Sequence, residues 1–122
     1  MSFKKISGFF LAILLVANIA FAAQKPVMVI RFNQSVVSYE NHLNKITSKA
    51  LEIKPDVFFD VVTVVPQTNN NRKDEEIKQQ AEELTKTVLE KIAQNGVDGN
   101  NIRITYQDSP SAANNEIHIF VR

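Results

Sequence analysis

Residues 74–104 read DEEIKQQAEELTKTVLEKIAQNGVDGNNIRI. Within them Ile77, Ala81, Leu84, Val88 and Ile92 return at spacings of four, four, three and four, which puts them on one stripe of an α-helix. Charged and amide residues fill the opposite side. Gly96 stands where a helix ends on a residue with positive φ, and Ile102-Arg103-Ile104 opens an extended run. A helix with one greasy stripe must lie on something. The segments on either side are rich in β-branched residues and supply a sheet.

The rest of the chain follows from that pairing. Residues 27–32 (VMVIRF) predict a strand, with Pro26 at its start where a missing N–H is tolerated. A first helix is expected over residues 38–53, because Tyr39, Leu43, Ile46, Ala50 and Ile53 form a second stripe. Ser38 offers an N-cap and Glu40 suits the positive end of the helix dipole. Lys54 precedes Pro55, which closes the helix. Residues 57–65 (VFFDVVTVV) predict a central strand, since both of its faces are largely apolar. Residues 66–73 (PQTNNNRK) read as a polar loop, followed by the organising helix and a strand over residues 102–106. A turn-rich loop then leads to an alternating strand over residues 116–122. The order β-α-β-α-β-β predicts an α+β two-layer sandwich, with two helices on one face of a four-stranded mixed sheet. No repeat or second domain is visible.

The first 22 residues have a different character. Lys4 and Lys5 precede an apolar stretch that ends in Ala20-Phe21-Ala22, the layout of a secretory leader with a small-x-small cleavage site. The stretch is shorter than the roughly 20 residues of a spanning helix, so a cleaved signal peptide over residues 1–22 and a domain over residues 23–122 are expected. Membrane attachment would come only from an uncleaved leader. The formal charge is +1, and falls to about −1 once Lys4 and Lys5 leave with the leader, so nucleic acid is not an expected partner. Cysteine is absent, which excludes a disulfide framework, a thiolate metal site and a cysteine nucleophile.

No catalytic set stands out, and no cofactor is expected. His42 and His118 would need to converge with a carboxylate such as Asp60 or Glu116 to hold a metal. The acids at the start of the second helix suit its dipole and read as a solvated face. Two groups remain as binding candidates. If Val57, Phe59, Val61, Ile117, Ile119 and Val121 face the helices, then Phe58, Asp60, Val62, Val64, His118 and Phe120 face away, forming an apolar patch of the kind that meets a partner. Arg72, Lys73 and Asp74 form a charged cluster in the loop before the second helix.

Several local patterns, in this order and spacing, resemble the OmpA-like domain, the periplasmic fold shared by the OmpA C-terminal domain, Pal and the MotB periplasmic region. Ile30-Arg31-Phe32-Asn33 resembles the family's first strand end. Pro55-Asp56-Val57 resembles its entry into the second strand. Residues 93–97 followed by Ile102 resemble its exit from the second helix. Residues 114–119 (NNEIHI) resemble its last strand. The resemblance implies a non-enzymatic, periplasmic domain that binds peptidoglycan, using an aspartate after the second strand and an arginine in the second helix. Those two charges suit a zwitterionic ligand, and an arginine grips a carboxylate bidentately. In this chain the aspartate position falls on Pro66, the arginine position on Leu84, and the closing pair of arginines on Asn115-Glu116. Losing two charge-assisted contacts, each worth about 1.5–3 kcal/mol, removes the family's usual peptidoglycan site. The expectation is therefore an OmpA-like binding or scaffolding module whose partner is an envelope protein. Residual peptidoglycan binding through Arg72, Lys73 and Asp74 is the alternative.

Overall fold

The computed structural model describes residues 25–122, so the leader and its cleavage site lie outside the described residues. Strand β1 spans Met28–Arg31, helix α1 Glu40–Ile53, strand β2 Phe59–Pro66 and helix α2 Asn71–Gln94. A single 3-10 turn, Gly99–Asn101, leads into β3 (Ile102–Ser109) and then β4 (Glu116–Val121). The four strands form one sheet in the order β1-β4-β2-β3. β2 and β3 are parallel, with Phe59 beside Ile102 and Pro66 beside Ser109, and α2 supplies the crossover that parallel neighbours require. β4 returns antiparallel between β1 and β2, setting Val61 opposite Ile119 and Met28 opposite Ile119 on the other side. The fold is thus the expected α+β sandwich. Among the described residues no helix is long and apolar enough to cross a membrane.

One face of the sheet makes the core. Phe59, Val61, Ile117 and Ile119 are fully buried there against Leu43 of α1 and Val88 and Ile92 of α2. The two helices are also tied to each other. Lys91 Nζ lies 2.7 Å from the Glu40 carboxylate, and Asn95 Nδ2 donates to Asn44 Oδ1 at 2.8 Å. Gly96, at φ 109°, makes the turn after α2 that a side chain would strain.

Four local expectations change. Ser38 does not cap α1; Tyr39 holds that position without a side-chain cap. Its ring instead packs edge-on against Phe32, at 6.1 Å between centroids, so an apolar contact fixes the entry of the helix. Ile53 is 76% exposed, at the rim of a groove that it lines with Val27, Ile46 and Val121. α2 begins at Asn71, three residues before Asp74, because the Asn70 side chain accepts from the Lys73 N–H at 3.1 Å and caps it. β3 runs on to Ser109, since pairing with β2 gives the turn-prone residues 107–109 the backbone partners their own propensities do not supply.

The helical stripes are also shifted toward threonine. Thr47 and Thr85 are buried while Ile46 and Leu84 are only partly covered. Both threonine hydroxyls donate back along their own helix, Thr47 to Leu43 and Thr85 to Ala81, each at 2.8 Å. That use of the Thr85 proton leaves Thr63 as the donor in the 2.6 Å contact between the two hydroxyls, which joins β2 to α2. The pair should respond asymmetrically. Thr85→Val strands the buried Thr63 donor and is expected to cost about 1–3 kcal/mol. Thr63→Val leaves the Thr85 bond to Ala81 intact and should cost less than about 1 kcal/mol. Urea titrations of the two variants and the double variant check this, and equal losses would reject the donor assignment.

Candidate functional site

The chain between β3 and β4 has to cross the end of β2, because β4 lies on the far side of β2 from β3. This crossing segment walls two grooves, one on each side of the sheet.

The first groove, of about 420 Å³, opens at the end of the helical layer. Phe32 and residues 34–37 form one wall, Ile77, Gln80 and Leu84 of α2 another, and Pro66 with residues 113–115 close the end. Tyr39 contributes its ring, and its phenol is pushed above the usual value, first by burial and then by the Glu40 carboxylate, with Lys91 opposing. It stays protonated at neutral pH and offers an O–H donor. Asn115 is buried, and its Oδ1 has no hydrogen-bond partner. The lining contains no Asp, Glu, Lys or Arg. Pro66 and Leu84, 18 residues apart in sequence, both line this space.

The second groove, of about 710 Å³, lies on the helix-free face. Val62, Val64, His118 and Phe120 line it together with Thr105, Gln107 and the crossing segment at Ser111 and Ala112. Four of the six residues expected to face away from the helices therefore share one concavity. The open apolar patch does not form, however. Val62 and Phe120 are each only 8% exposed, being set into the floor of the groove.

Phe58 and Asp60 separate from the other four. Asp60 is 2% exposed. Its Oδ2 accepts from Arg122 Nε at 2.7 Å, and its Oδ1 lies 3.8 Å from Arg103 Nε. The Arg122 guanidinium also lies over the Phe58 ring, 5.1 Å from the centroid. The hydrogen bond to Asp60 raises the Arg122 pKa further, so the guanidinium stays cationic. Asp60 is thus a structural carboxylate turned away from any partner. His118 Nε2 instead contacts Glu116 Oε1 at 2.9 Å. His42 sits on α1, across the sheet from His118. Among the described residues no group of three potential metal ligands converges.

The charged cluster before α2 is not a loop. Arg72, Lys73 and Asp74 occupy the first turn of the helix. The Asp74 Oδ1 accepts from the Thr68 amide at 2.8 Å and from its hydroxyl at 2.7 Å, so it holds the preceding chain in place. Arg72 and Lys73 are exposed. The turn signal in the asparagine run obscured the Asn70 cap. The first groove was legible only through Pro66, Leu84 and Asn115; Gln34, Ser35 and Gln80 carried no signal of their own.

No protein-family model matches the chain, and no curated protein matches it. Among solved structures, the C-terminal domain of Helicobacter pylori MotB is similar. At 14% identity the likeness covers 79% of this chain and 84% of that one, with a TM-score of 0.55. Identity that low establishes the architecture alone: the fold is OmpA-like.

Proposed function

We propose that this chain is a non-enzymatic binding or scaffolding module of the cell envelope. Its leader exports it to the periplasm, and it docks an envelope protein instead of gripping the charged peptide of peptidoglycan. The observation that carries this reading is the uncharged lining of the first groove. The resemblance puts the ligand-binding aspartate at Pro66 and the arginine at Leu84, and both residues line that groove, which holds no charged side chain; Asp74, Glu75, Lys78 and Asp108 line a separate, smaller cleft that Pro66 also borders. A zwitterionic ligand entering there would lose its hydration and find no ionic partner. The second groove, with an apolar floor of Val62, Val64 and Phe120 and a polar edge at His118 and Glu116, fits a protein segment better than a cell-wall peptide.

Pulldown on purified peptidoglycan tests the proposal. The protein is expected to stay in the supernatant at salt concentrations where a peptidoglycan binder is retained. Retention that Arg72→Ala abolishes would overturn it, in favour of binding at the start of α2. Crosslinking in the native envelope with mass spectrometry is expected to recover a protein joined through residues around Val64 or His118.

A further inference from the structure

The two edges of the sheet differ. β1 is four residues long and follows Pro26, the short, proline-flanked form that discourages further pairing. β3 is eight residues long and contains neither proline nor lysine. Arg103 stands beside Asp60 in the β2 register and leans 3.8 Å from its carboxylate, over its own sheet instead of guarding the open edge. Ile104 and Tyr106, on the helical side of β3, are 42% and 43% exposed.

The hydrogen bonds fix which residues of β3 point outward. The Gln67 amide donates to the Ser109 carbonyl at 2.9 Å. In a parallel ladder this places the backbone groups of Arg103, Thr105, Gln107 and Ser109 toward β2. Those of Ile102, Ile104, Tyr106 and Asp108 point away from the sheet. The Ile102 N–H is already bonded to the Gly99 carbonyl. Ile104, Tyr106 and Asp108 keep both groups outward, and Ile102 keeps its carbonyl.

We propose that β3 pairs antiparallel with β3 of a second copy of this chain, about a two-fold axis through Thr105, joining two sheets into one. A two-fold axis normal to a continuous sheet requires facing residues to have the same parity, and outward groups must meet outward groups. Centring on Thr105 satisfies both conditions. Ile104 then faces Tyr106 of the second copy and Tyr106 faces its Ile104, each pair exchanging two backbone hydrogen bonds, while Asp108 donates to the Ile102 carbonyl. The exposed isoleucine and tyrosine cover each other as a β-branched and aromatic cross-strand pair. A centre at Tyr106 would instead oppose Ile104 to the Asp108 carboxylate and Ile102 to Pro110, which has no N–H. A centre at Ile104 would leave Asp108 outside the strand pairing. The sequence of this edge is therefore complementary to itself in one register. The same axis brings the two helix-free grooves together, because Thr105 and Gln107 line them; Arg103 of the second copy stands opposite Gln107 at the rim.

The chain has no cysteine, which makes the register directly testable. Thr105 faces its own copy in a non-hydrogen-bonded pair, with Cα atoms about 4.5 Å apart, inside the range of about 4.4–6.8 Å that a disulfide spans. The full chain expressed with its own leader and carrying Thr105→Cys is expected to form a disulfide-linked dimer under mild oxidation. Arg103→Cys and Gln107→Cys should not, since each faces a different residue. In sedimentation velocity the unmodified protein is expected to dimerise, and Tyr106→Lys to weaken that association roughly tenfold or more while leaving circular dichroism unchanged. Crosslinking through Ile104→Cys or Tyr106→Cys in preference to Thr105→Cys would overturn the register. A monomer at every concentration, with equal crosslinking of all variants, would overturn the dimer.

Discussion

Phe59→Ala is expected to cost about 3–5 kcal/mol, the usual result of emptying a fully buried aromatic site. That is a large share of the roughly 5–15 kcal/mol that holds a domain of this size together. Phe59 begins the central strand, pairs with Ile102 on one side and Val121 on the other, and lies in the core cluster with residues of both helices. No other element of the helical layer can collapse into the space without leaving its own contacts. Phe58 provides the control. One residue earlier and on the other face, it is half-buried under the Arg122 guanidinium. Phe58→Ala should cost only about 1–2 kcal/mol, the loss of a partly covered ring and one cation–π contact. Urea unfolding with both midpoints and slopes measured separates a true stability loss from a change in the denatured state. Equal losses at the two positions would mean that the alternation of β2 is misassigned.

That alternation was the most legible part of the chain. In VFFDVVTVV every second side chain had to face the helices, and Phe59, Val61, Thr63 and Val65 do so. The helices were harder to read. Counting apolar residues finds the stripe Ile77, Ala81, Leu84, Val88 and Ile92, of which Ala81, Val88 and Ile92 are among the deepest positions on α2; Thr85 joins them, while Ile77 and Leu84 are only partly covered. A count of apolar residues passes over threonine. Its hydroxyl can be satisfied by the carbonyl one turn back, after which its methyl packs like that of valine. Leu84 packs against the edge of the core and also lines the first groove. The stripe thus mixed core and groove residues that periodicity alone does not distinguish.

The grooves depend on topology, which no local pattern carries. β4 enters between β1 and β2, so residues 110–115 must cross the sheet end, and only that crossing gives either concavity its end wall. Parity along β2 and β4 did put Val62, Val64, His118 and Phe120 on one side. It also put Asp60 there, without saying that Arg103 from β3 and Arg122 from beyond β4 would converge on it. Those partners lie 43 and 62 residues away, set by strand register.

The Asp60 cluster gives a second large and asymmetric expectation. Arg122→Ala removes the 2.7 Å bond and leaves a carboxylate that is 3% exposed facing only the more distant Arg103. A hydrogen bond to a charged group is worth about 1.5–3 kcal/mol, and a broken buried pair about 3–5 kcal/mol. Because the Arg122 side chain is itself 41% exposed and Arg103 remains, the lower range applies, and a loss of about 2–3 kcal/mol is expected. Asp60→Val should behave differently. It removes the buried charge, places a β-branched residue in a strand beside Val62 and Phe120, and frees two arginines that already reach water, so the change should stay within about 1 kcal/mol. In the double variant, Arg122→Ala should then add little to Asp60→Val, giving a coupling of about 2 kcal/mol in a double-mutant cycle. Additive losses would show that Arg122 acts by packing on Phe58 and not by neutralising Asp60, and a stable Arg122→Ala variant would show that Arg103 alone suffices.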